Sequence, residues 1–140
     1  MHLIDTAHKD ENQMSNQGYD LIGDIHGHAD PLRRLLKKLE YSEVSGVFRH
    51  DTRKAIFVGD FVDRGPEQRE VLRIARTMCE ADTALAVLGN HEFNAIGWAT
   101  PDGNGGFLRP HSEKNRHQHK EFLRQLEEGS SDYNAAIHWF

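Results

Sequence analysis

The sequence predicts an α/β domain on a mostly parallel sheet, in the order strand, helix, strand, helix, strand, with one inserted hairpin and a helical segment after it. Three observations carry that expectation. Three short apolar runs lie about one strand-helix-strand unit apart, two intervening segments repeat apolar residues at helical spacing, and each run stops at a glycine followed by a polar residue.

Tyr19-Asp20-Leu21-Ile22 is the first strand and runs straight into Gly23-Asp24. Asp30-Pro31 supplies an N-cap and a proline at the first helical position. Leu32, Leu35, Leu36 and Leu39 follow at helical spacing, so their stripe packs on the sheet, while Arg33, Arg34, Lys37 and Lys38 form a solvated face. Gly46 to His50 and Lys54 to Val58 flank the polar turn Asp51-Thr52-Arg53, which predicts a hairpin whose second arm is a buried strand ending at Gly59-Asp60. Pro66 opens the second helix, with Val71, Leu72, Ile74, Ala75 and Met78 as its stripe, and Thr83 to Leu88 is the third strand, ending at Gly89-Asn90. Beyond His91 the periodicity weakens. Pro101 to Gly106 is a loop, Ser112-Glu113 begins a helix to about Glu128, and Ala135 to Phe140 begins another after Gly129-Ser130-Ser131-Asp132. Residues 1–18 are polar and are expected to be a flexible extension, which leaves residues 19–140 as one domain.

A chain of 140 residues suits one domain with its own core. Its 17 basic and 22 acidic residues give a net charge of -5, which weighs against a general nucleic-acid or anionic-membrane binder. The single cysteine, Cys79, excludes an internal disulfide framework and suits a reducing compartment, so a cytoplasmic location is expected. No apolar run approaches the roughly 18 residues of a membrane span, and no membrane partner is expected.

Ligands of parallel sheets bind at the carboxyl ends of the strands, which is where Gly23-Asp24-Ile25-His26-Gly27, Gly59-Asp60-Phe61-Val62-Asp63-Arg64-Gly65 and Gly89-Asn90-His91-Glu92 fall. A lone Gly-Asp or Asn-His there is commonly a turn or a helix cap, and a lone Asp63-Arg64 a surface ion pair. Three in order are different: Asp24, His26, Asp60 and Asn90 make an oxygen-rich donor set with one imidazole, suited to Mn, Fe, Zn or Mg. Asp60, on the middle loop, is placed to bridge two divalent ions, and a water between such ions becomes hydroxide near neutral pH. Arg64 offers a planar fork for phosphate oxygens, and His91 suits a general acid whose tautomer Asp63 would hold.

These blocks resemble the metal-dependent phosphoprotein phosphatases of the calcineurin-like metallophosphoesterase superfamily, whose pattern Gly-Asp-x-His-Gly, Gly-Asp-x-Val-Asp-Arg-Gly, Gly-Asn-His-Glu is matched in full. The likeness covers about residues 19–98, and Phe93-Asn94-Ala95-Ile96 with Leu108-Arg109-Pro110-His111 is similar to bacterial members described as serine/threonine phosphatases or dinucleoside tetraphosphatases. It implies that Asp24 and His26 hold one metal, that Asp60 bridges and that Asn90 holds the second. It further implies Arg64 and Asn90 as phosphate-binding groups, His91 as proton donor paired with Asp63, and Glu92 as a support rather than a ligand. The expected activity is hydrolysis of phosphate esters by hydroxide activated between two ions, Mn foremost. The substrate would be a phosphoprotein, a dinucleoside polyphosphate or a small phosphate ester; an RNA-end phosphatase and an inactive truncated fragment or binding module are the alternatives. The family completes its site with histidines that follow apolar strands in a second half. Here His111, His117, His119 and His138 are the only later histidines, and none follows such a run, so the second half is expected to be missing.

Overall fold

Short apolar runs bounded by glycine become strands, and the amphipathic segments between them become helices that cover one sheet face. A computed structural model describes residues 17–140. The elements are β1 (Gly18–Ile22), α1 (Ala29–Lys38), β2 (Ser42–Val44), β3 (Val47–Arg49), β4 (Arg53–Phe57), α2 (Gln68–Glu80), β5 (Ala84–Ala86), α3 (Asn90–Ala99), α4 (Glu113–Leu126) and α5 (Ser131–Trp139). Most of the expected N-terminal extension lies outside the described residues, and Gly18 belongs to β1.

The main sheet has the order β1-β4-β5, parallel throughout, with Ile22 opposite Phe57 and Phe57 opposite Ala86. This register ends all three strands at one level, so the three motif loops emerge from one rim. Leu32 and Leu36 of α1 and Val71, Ile74, Ala75 and Met78 of α2 pack with Ile22, Ala55 and Phe57 in the core. Alternate positions point to the other face, where Tyr19, Leu21, Val58, Leu85 and Val87 are exposed.

The hairpin differs from the expected one. β3 pairs antiparallel with β2, not with β4, and Ser45-Gly46, with φ of 51° and 80°, makes the two-residue turn. Positive φ at both turn residues matches the twist of paired strands. β4 has no edge to offer β3, because β1 and β5 take both. The helix starts shift as well. α1 begins at Ala29 with His28 as N-cap, so Pro31 sits third, where its missing N–H still needs no partner. α2 begins at Gln68, not at Pro66, and α5 starts at Ser131, capped when Ser130 Oγ accepts from Tyr133 N. The sequence pattern does not predict α3, because Phe93, Ala95, Ile96 and Trp98 do not gather into one stripe. Arg33 also leaves the expected solvated face of α1, because it is half-buried in an ion pair with Glu70.

Candidate active site

The loops at the rim are tightly folded. Asp24, His26, Asp60, Asp63 and Arg64 all hold positive φ, at 52°, 44°, 57°, 69° and 67°. Left-handed backbone is strained for residues with a side chain, and it persists only where the surroundings enforce it. Here His26 N donates to Asp60 O (2.8 Å), Gly27 N to Phe61 O (2.7 Å) and Gly65 N to His26 O (2.8 Å), which ties the first two loops together. The buried Glu92 ties the second to the third: its carboxylate accepts from Asp60 N (2.8 Å), Phe61 N (2.7 Å), Val62 N (3.2 Å) and Gly89 N (2.8 Å). At Gly89 a Cβ would overlap Asp60 Oδ1, so glycine is required for the approach.

Ligand atoms of His26, Asp60 and His91 lie within 4.8 Å of one another, and the two imidazoles meet edge to face with centroids 4.7 Å apart. His26 Nδ1 is 3.1 Å from Val62 O and His91 Nδ1 is 2.7 Å from Asp63 Oδ2, which leaves Nε2 free on each ring. Asp60 Oδ1 also accepts from His91 N (3.2 Å). Asp24 stands at the margin, exposed, with Oδ1 3.8 Å from His26 Nε2, and the exposed Asn90 faces an adjoining cleft. Two imidazoles and a carboxylate, with a second carboxylate at the edge, suit a divalent ion of the Mn, Fe or Zn kind. His91, expected as a proton donor, thus stands among the candidate ligand atoms as well.

Asp63 is buried between two histidines. Its Oδ2 meets His91 and its Oδ1 lies 2.6 Å from Nδ1 of His119 on α4, which is itself buried against Phe122. A carboxylate accepts, so both rings carry Nδ1–H. The sequence pattern does not place His119 at this site. One signal was available: positions 119, 122 and 126 share a helical stripe, and all three are buried. His117, two residues away, is exposed on the other side.

Asp63, Arg64, Asn90, His91, Asn94, Arg109 and Gln118 line a cleft of about 250 Å³ next to the donor cluster. His28 is exposed at the N-cap of α1 without a capping side-chain bond. Trp98 is core: it is buried, donates from Nε1 to Glu128 (2.8 Å) and stacks on His111. Lys114, Arg116, His117, Lys120 and Arg124 form an exposed face of α4. No helix among the described residues is long and apolar enough to cross a membrane.

Known proteins resemble this chain in sequence and in fold. The chain is 46% identical over 74 residues to the asymmetrical bis(5'-nucleosyl)-tetraphosphatase PrpE of Halalkalibacterium halodurans, a match covering 52% of this chain and 30% of that protein. The PrpE of Bacillus subtilis is 42% identical over 74 residues, with the same shares covered. Among solved structures, a cold-active protein tyrosine phosphatase mutant superposes with a TM-score of 0.53 at 21% identity, over 89% of this chain and 39% of that one. A candidate diadenosine tetraphosphatase gives 0.51 at 19%, over 89% and 46%. At such identities the likeness is one of fold. The chain thus spans about a third of the length of the curated relatives it matches. The calcineurin-like phosphoesterase family model matches residues 19–138, nearly all of the described chain, and the chain belongs to that family.

Proposed function

We propose that this chain supplies the catalytic loops of a metal-dependent hydrolase of phosphate esters, with Asp24, His26, Asp60 and Asn90 holding two divalent ions, Mn foremost. The convergence of His26, Asp60 and His91 donor atoms within 4.8 Å at the strand ends carries this reading. Ions bound there would supply an activated water and Lewis-acid charge for the phosphoryl group.

The chain's own residues do the rest. Glu92 fixes the Asp60 loop through its backbone amides, so the Asp60 carboxylate is presented without rearrangement. Arg64 binds phosphoryl oxygens with its planar fork. Asp63 accepts from His91 Nδ1–H, so in the doubly protonated ring the Nε2–H is the proton delivered to the leaving oxygen. The PrpE relatives bear the name of tetraphosphatases, which favours a dinucleoside polyphosphate over a phosphoprotein as the substrate class. A lone free thiol, Cys79, suits a cytoplasmic enzyme.

The test is phosphate release from diadenosine tetraphosphate and p-nitrophenyl phosphate with Mn, using the full-length gene product. Asp60→Asn is expected to lower kcat by roughly 100-fold, equivalent to about 3 kcal/mol of lost charge stabilisation. Turnover indifferent to that substitution would sink the reading.

A further inference from the structure

The cleft beside the metal loops has an unusual charge balance. It is lined by two guanidinium groups, Arg64 and Arg109, and by the carboxamides of Asn90, Asn94 and Gln118. Its one carboxylate, Asp63, already accepts from His91 and His119. Arginines elsewhere, such as Arg33, Arg53 and Arg73, pair with carboxylates, whereas among the described residues neither Arg64 nor Arg109 forms an ion pair.

Arg109 is nevertheless held in place. Its backbone N donates to Gly97 O (2.9 Å), and its Nη2 donates to Gln118 Oε1 (2.9 Å) and Asn115 Oδ1 (3.3 Å). Neutral amide acceptors aim a guanidinium without cancelling its charge. Its Nε is buried without an acceptor, a deficit that native structures normally answer with a partner. An oriented, uncompensated fork that lines one cleft with a second arginine matches an anion bearing several oxygens.

We propose that this cleft binds a second phosphoryl group of the substrate, linked through oxygen to the one at the metal loops, with Arg109 as its donor. The centre would then take oligophosphates in preference to monoesters. This inference rests on the hydrolase reading above, which places the reacting phosphoryl group beside Asp60 and Arg64.

Metal-free calorimetry of the chain in EDTA, with inorganic tripolyphosphate and inorganic phosphate as ligands, tests the cleft without catalysis. Tripolyphosphate is expected to bind at least about tenfold more tightly than phosphate, with an affinity that falls as salt rises. Arg109→Ala should weaken tripolyphosphate about tenfold and leave phosphate within about twofold, and Arg109→Lys should recover only part of the loss. If Arg109→Ala melts early, Asn94→Asp carries the same test, because it puts a competing carboxylate into the cleft and should also weaken tripolyphosphate about tenfold. Equal affinity for the two ligands, equal loss for both, or no loss overturns the proposal. In the full-length gene product, kcat/KM of Arg109→Ala should fall for diadenosine tetraphosphate and hold for p-nitrophenyl phosphate. Arg109-dependent tripolyphosphate binding without turnover of either substrate would defeat only the hydrolase reading. Turnover of both with the substrate ratio unmoved by Arg109→Ala would defeat only the cleft.

Discussion

Asp63 serves two imidazoles at once, and the second, His119, comes from a helix 56 positions along the chain. Removing that ring would leave Oδ1 of a buried carboxylate without its donor, at a cost of about 1–3 kcal/mol. His119→Ala is therefore expected to lower the melting temperature and, by loosening Asp63 against His91, to reduce kcat more than it raises KM. His119→Asn, which keeps an N–H donor, should restore part of the kcat loss. Equal changes in kcat for the two variants would assign His119 to packing alone. The spacing of His119 with Phe122 and Leu126 was legible, but its partner was not, because nothing local to α4 reports where Asp63 lies.

Among the elements, α1 and α2 are joined through Glu70, which accepts from Arg73 Nε (2.9 Å) and Nη2 (2.8 Å) and pairs with Arg33 across the helices. Arg73 also donates to Gly46 O (3.1 Å) in the β2-β3 turn, so one cluster ties both helices and the hairpin. The hydrogen bond from Arg73 holds the Glu70 carboxyl below its ordinary value of 4.5, with the charges of Arg73 and Arg33 adding to it and partial burial opposing. A carboxyl whose folded pKa is depressed adds stability above its unfolded pKa and loses it as pH falls through the folded one. Glu70→Gln is thus expected to destabilise at pH 7 by roughly 0.5 kcal/mol, the scale of a partly screened pair. The gap from the parent should close as pH drops below about 4, as thermal melts across pH would read out. A gap that widened in acid would refute the assignment. At this scale the sequence marked β1, β4 and β5 by their apolar runs, but misassigned the hairpin, since every residue of β2 is exposed and carries no alternating pattern.

At the scale of the whole molecule, the described residues cover the sheet on one face only. Leu21 is 72% exposed and Val87 56%, with Tyr19, Val58 and Leu85 beside them on the bare face. Parallel sheets are ordinarily covered on both faces, and a contiguous apolar patch favours association. Leu21→Lys combined with Leu85→Lys is expected to change stability by no more than about 0.5 kcal/mol, as at other exposed positions, while reducing self-association in sedimentation and binding of a hydrophobic dye. A large fall in melting temperature would mean that these side chains are packed. Residue order alone was enough to locate the three strand ends and the polar residues that follow each glycine, because strand period and glycine turns are written within a few neighbouring positions. Pairing β3 with β2, setting His119 on Asp63 and bringing Arg109 and Arg64 to one cleft were decided by tertiary structure, since each joins residues whose meeting depends on how separate elements pack.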